Sequence, residues 1–187
     1  MYGDTMDNDI LFDVTTLGGG CFWCIEAIFE LLNGVEKIES GYSGGHIENP
    51  TYHQVSSGNT GHVEVVQIHF NPKVISFKDL LKIFFTYHNP TTKNRQGNDI
   101  GPQYRSIILY HSEDQKTDSE ESIKEIEKEK IWKNPIVTEI AEFSKFYVAE
   151  DFHQEYYRRN QGDGYCQVII EPKVAKFRKE YIEKLKK

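Results

Sequence analysis

Residues 63–90, VEVVQIHFNPKVISFKDLLKIFFTYHNP, decide the fold class. The first eight alternate as a strand does. Glu64, Val66, Ile68 and Phe70 share one face, and Val63, Val65, Gln67 and His69 share the other. Ser76 then offers an N-cap for a helix over 77–88, with Asp79 three residues on and Pro90 as a stop. Residues 104–111 read as the next strand, so a helix separates two strands here.

The same alternation extends outward. Residues 10–17 are β-branched enough for a strand, ended by Gly18-Gly19-Gly20. CFWCIEAIFELLN, 21–33, brings Phe22, Ile25, Ile28, Phe29 and Leu32 round at helical spacing, and Gly34 closes it. Residues 35–40 alternate weakly, 41–61 are glycine-rich and loop-like, and 91–102 form a polar loop. A charged helix over 112–132, a strand over 136–143, a helix over 150–160 and a short strand over 167–170 follow. The basic stretch 173–187 has helix-like spacing and reads as a solvated helical tail. Interleaved strands and helices predict an α+β two-layer sandwich, a mixed β-sheet with flanking helices around a ferredoxin-like core. Residues 1–187 are expected to be one domain, with its core over about 10–170.

Composition narrows the function classes. The 22 basic and 29 acidic residues give a net charge of −7, which argues against nucleic-acid binding. No apolar run approaches the roughly 20 residues of a membrane helix. The acidic start MYGDTMDNDI lacks an apolar signal core, so a cytoplasmic protein is expected, and no role is legible for residues 1–9. Three cysteines are too few for a disulfide scaffold; a close pair in a reducing compartment suggests metal or redox chemistry.

That pair is Cys21 and Cys24. Cys21 follows three glycines and opens a helix, where unpaired N–H groups and the helix dipole are expected to lower its pKa. The competing reading is a buried core cysteine. As C-x-x-C the pair is also compatible with half a zinc site, but Cys166 stands alone and His46 and His53 lack finger-like spacing, so no metal is expected. A thioredoxin-like dithiol stays open. Glu64 travels with the apolar face of its strand, where burial would raise its pKa and make it a proton donor near neutral pH. A partly solvated place at the sheet rim is the alternative. Tyr52 in the glycine-rich loop and Tyr104 after the polar loop carry phenols suited to a polarised oxygen, although most of the 11 tyrosines must serve packing.

Five strings in order then resemble the peptide methionine sulfoxide reductase A family: GGGCFW at 18–23, GYSGGHIENPTYHQV at 41–55, GNTGHVEVVQIHFNP at 58–72, HNPTTKNRQGNDIGPQYRS at 88–106 and AEDFHQEY at 149–156, followed by GYC at 164–166. The resemblance implies an oxidoreductase that returns the S-epimer of methionine sulfoxide, free or in proteins, to methionine, with no metal or organic cofactor. It implies Cys21 as nucleophile, Glu64 as the acid on the sulfoxide oxygen, and Tyr52 and Tyr104 as hydrogen-bond donors to it. Asp99 would line the site, Phe22 and Trp23 would receive the methyl group, and Cys166 would recycle the enzyme. The sulfenic acid left on Cys21 would become a disulfide, reduced by a thioredoxin-like dithiol. Oxidised methionine and that reductant are the expected partners, with the chain a monomer.

The chain departs from many relatives in carrying Cys24 where they have glycine. Cys166 is favoured as the first resolving thiol, because Cys24 sits three residues on in a helix where the geometry is tight. A general dithiol–disulfide oxidoreductase is the first rival reading, and a non-enzymatic binder of oxidised methionine the second. The first leaves Glu64, Tyr52 and Tyr104 without a task, and turnover of a small sulfoxide with dithiothreitol separates both from the favoured reading.

Overall fold

The computed structural model describes residues 11–187, so the reading of residues 1–9 and the first residue of the expected 10–17 strand lie outside it. The elements run β1 (Asp13–Gly18), α1 (Phe22–Phe29), β2 (Val35–Ser43), α2 (Tyr52–Ser56), β3 (Val63–Phe70), α3 (Phe77–Tyr87), β4 (Arg95–Gln96), β5 (Asp99–Ile100), β6 (Ile107–Tyr110), α4 (Glu113–Lys128), β7 (Glu139–Glu142), β8 (Phe146–Val148), α5 (Tyr156–Arg159) and α6 (Glu171–Glu180). Six strands form one sheet in the order β7-β6-β1-β3-β2-β8. The pairs are antiparallel except β6 with β7, so the sheet is mixed. The two β-α-β units interlock: β3 lies between β1 and β2, and β1 between β3 and β6. β4 and β5 form a separate two-stranded ribbon inside the expected polar loop.

The period of two in β3 splits the interior as its sequence predicts. Val66, Ile68 and Phe70 are fully buried in the main core with Phe22, Ile28 and Phe84. Val63 and Val65 join Ile107 and Leu109 in a smaller cluster. Glu64 belongs by alternation to the main-core face, and it is 2% exposed, so it is no rim residue. Helix α3 starts where expected: the Ser76 side chain accepts from the Asp79 N–H and Asp79 reaches back to Ser76.

Three expectations are corrected. The stretch 41–61 is not all loop: β2 runs to Ser43, and Thr51 caps α2 in a capping box with Gln54. Residues 167–170 are not a strand. Cys166–Ile170 is a π-helical turn that runs into α6, because Cys166, Ile170, Val174 and Phe177 bring a buried edge round at helical spacing. The C-terminal stretch is no solvated tail. Val174 and Phe177 are buried in the main core, and Leu185 bridges to Leu32. Burying those two side chains contributes about 1.5–3 kcal/mol each. The charges lie on the other face of α6, which is why composition alone suggested a tail.

Candidate active site

The glycines after β1 set the nucleophile's place. Gly20 has φ +97°, and a Cβ there would meet Gln96 at 2.5 Å, so the tight turn needs glycine. The turn delivers Cys21 as the N-cap of α1, with no side-chain capping bond. The first helical N–H, that of Phe22, donates to Glu64 Oε2 at 3.1 Å. The start of α1 therefore holds a carboxyl group as well as a thiol, and Glu64 is beside Cys21 on the same side of the sheet.

Burial is the first influence on both groups. It pushes Glu64 up to about 8, with the charges of Asp99 and Cys24 adding to it and the Phe22 N–H opposing it. Glu64 is thus a neutral acid at pH 7, as its place in the strand pattern predicts. Cys21 differs from expectation. It is 9% exposed, and burial raises it well above the ordinary thiol range, helped by the Cys24 thiol and the Glu64 charge. The Trp23 N–H does lower it, so the helix start acts in the predicted direction, but desolvation wins. Cys24 is lowered instead, to about 7, first by the Cys21 thiol and then, against burial, by Lys173 and the Tyr165 hydroxyl. The two thiols are hydrogen-bonding neighbours, and that contact raises Cys21 and lowers Cys24.

The remaining predicted residues gather at this end of α1. Tyr52 and Tyr104 are half-buried. Burial raises each phenol, and each feels the charges of Glu64, Asp99 and Cys21, so both remain hydrogen-bond donors. Asp99, in β5, accepts a 2.9 Å bond from the Tyr165 hydroxyl. Phe22 is fully buried with its ring 5.8 Å from Tyr42, while Trp23 is partly open and stacks on Tyr156 at 3.6 Å and 6°. Cys166 is fully buried in the core, and the nearby thiol that affects it is Cys24. Among the described residues no group of three or more His, Cys, Asp or Glu is placed to hold a metal, and no helix is long and apolar enough to cross a membrane.

Sequence reasoning gave no role to five side chains that surround the site. Tyr165 touches both Asp99 and, at 3.8 Å, the Cys24 sulfur. Glu150 accepts from the Tyr42 hydroxyl at 2.8 Å and from the Tyr52 N–H at 2.7 Å. His153 accepts from the Trp23 indole, Tyr156 stacks on that indole, and Glu26 takes the Tyr156 N–H. Four of them lie in AEDFHQEY and GYC, so the signal was present as a motif without a chemistry.

The family model described as peptide methionine sulfoxide reductase matches residues 13–186. Peptide methionine sulfoxide reductase MsrA of Sulfolobus acidocaldarius is 55% identical over 172 residues, 92% of this chain and 97% of that protein. The crystal structure of reduced Mxr1 from Saccharomyces cerevisiae is similar with a TM-score of 0.79 and 34% identity, covering 85% of this chain and 91% of that one. Mxr1 in complex with Trx2 is similar with a TM-score of 0.57 and 28% identity, over 80% and 87% of the two chains.

Proposed function

The chain belongs to the peptide methionine sulfoxide reductase family and reduces methionine sulfoxide, and from that premise we propose how its residues divide the work. Cys21 is the nucleophile and Glu64 the acid. The observation that carries this assignment is a carboxyl group, 2% exposed and pushed up to about 8 by that burial, bonded to the N–H of the residue next to the thiol.

Cys21 gives its proton to the Cys24 sulfur and attacks the sulfoxide sulfur. Glu64 donates its proton to the sulfoxide oxygen, with the Tyr52 and Tyr104 hydroxyls bonding the same oxygen. The S–O oxygen passes to the Cys21 sulfur as a hydroxyl. Methionine leaves, Glu64 is ionised and Cys21 is a sulfenic acid. Phe22 and Trp23 receive the methyl group and select the S-epimer, free or in a peptide, while Asp99 lines the polar side. Cys24 then attacks the Cys21 sulfur, its proton passing to the ionised Glu64 and from there to the departing oxygen, so that the S–O bond breaks and water leaves as the S–S bond forms. Residues three apart on a helix have Cβ atoms about 5–6 Å apart, wider than the roughly 3.5–4.5 Å of a disulfide, so the pair closes only because Cys21 is the non-helical N-cap and can move toward Cys24. Cys166, beside Cys24, exchanges into that disulfide and frees Cys21. This reverses the order favoured from sequence, in which Cys166 came first.

A thioredoxin-like dithiol as final reductant is supported by the relative crystallised with Trx2. The three cysteines are free, which suits a reducing compartment such as the cytoplasm. We read the chain as one domain that acts as a monomer; the family match running unbroken over residues 13–186 supports the single domain. The interlocked β-α-β units support a ferredoxin-like core.

One experiment tests the scheme. Reduced protein is mixed with each sulfoxide epimer without reductant, quenched over time and mapped for disulfides. The S-epimer should yield two methionines per chain, since a Cys24–Cys166 disulfide restores the Cys21 thiol for a second attack. A Cys21–Cys24 link should precede it. Equal yields from the R-epimer would refute the pocket assignment, and a first link between Cys21 and Cys166 would refute the relay order.

A further inference from the structure

The string AEDFHQEY holds no residue of the scheme above, yet it encloses the site. His153 lies in the 3₁₀ turn Asp151–His153 and is fully buried. Its Nδ1 is 3.1 Å from the Trp23 indole Nε1. An indole N–H only donates, so Nδ1 accepts and the imidazole proton sits on Nε2. Burial pushes the His153 pKa down despite Glu150, which keeps this neutral form at pH 7. The His153 ring also lies 4.5 Å from Tyr52 and 5.1 Å from Phe22.

Trp23 is partly exposed, so packing alone does not fix its χ angles. Three contacts do: His153 at the indole nitrogen, Tyr156 flat on one face, and the Tyr165 ring edge-on at 5.9 Å. The hydrogen bond is the directional one of the three. We infer that His153 is a positioning residue of the reductase: it locks the Trp23 indole in the one orientation that forms the wall of the methyl pocket. The inference rests on the reading of Trp23 as that wall. Glu150 completes the same turn, holding Tyr52 through its N–H, so one segment fixes the apolar and the polar sides of the pocket together.

The test is a double-mutant cycle with H153F and W23F, read by steady-state kinetics on a methionine-S-sulfoxide peptide. Phenylalanine keeps the ring volume and removes the acceptor. H153F should raise KM about tenfold with kcat within twofold, matching the loss of one hydrogen bond to the half-buried indole. The W23F/H153F enzyme should be no worse than W23F, because the effect passes through the indole. H153N, whose Oδ1 replaces Nδ1 as acceptor, should recover most of the KM. The indole N–H resonance of Trp23 should move in H153F and return in H153N. A wild-type KM in H153F, or losses that multiply in the double variant, would overturn the inference. A W23F enzyme with wild-type KM would instead overturn the wall reading on which it rests. Should H153F not fold, H153N and H153A decide: KM and the Trp23 indole resonance moving together, less in H153N than in H153A, supports the inference, and a KM that changes with the indole resonance unmoved, or an indole that moves with KM unchanged, overturns it.

Discussion

Replacing Cys21 by serine should lower methionine sulfoxide reduction by a factor on the order of 10⁴ or more. Serine fills the same space but is a poor nucleophile toward sulfur and forms no stable sulfenic acid. The rest of the site would be intact, with Glu64 still held by the Phe22 N–H. The variant should therefore bind substrate normally and turn it over at background rate, measured as methionine released with dithiothreitol as reductant. Cys24, although lowered to about 7, should not take over, because it sits inside α1, buried a turn beyond the Phe22 N–H that holds Glu64. Turnover within tenfold of wild type would remove Cys21 from the chemistry and favour Cys24 or Cys166.

The second large effect is expected at Glu64. Glu64→Ala should lower kcat/KM by about 10²–10⁴, the usual contribution of a positioned acid. Glu64→Gln should keep part of that activity, because an amide N–H still bonds the sulfoxide oxygen though it transfers no proton. The active form is the protonated carboxyl, whose pKa is raised from 4.5 to about 8 by burial. Wild-type activity should fall as pH rises through about 8, where the acid ionises, and also as pH falls through about 7, where Cys24 is already protonated and cannot take the Cys21 proton. In Glu64→Gln the high-pH limb should vanish. A limb that persists unchanged would assign it to another group, and equal losses in the two variants would mean that proton transfer dominates over hydrogen bonding.

Glu64 shows what was legible in the sequence. Its alternation with Val66, Ile68 and Phe70 predicted burial on the main-core face, and the structure places it there. The cap of α3 was legible for the same reason, since Ser76 and Asp79 act on groups three residues apart. Long-range packing was not. The Cys21 thiol was expected to be acidified by its helix, but the core that closes over the sulfur depends on contacts no local pattern encodes, and burial outweighs the helix start. Gln167–Ile170 looked like a strand because its apolar residues were counted without Val174 and Phe177, which show the helical period. His153 and Glu150 stand inside AEDFHQEY, but their partners Trp23 and Tyr52 are about 100 or more positions away. Only the folded chain pairs them.

The central claim is that the sulfoxide oxygen is transferred to the Cys21 sulfur. It is tested most directly in a chain carrying Cys24→Ser and Cys166→Ser, treated with excess methionine-S-sulfoxide in the presence of dimedone. One methionine released per chain, matched by one dimedone adduct on the peptide that contains Cys21, is the predicted result. Methionine released without an adduct, or an adduct on any other peptide, would contradict the account.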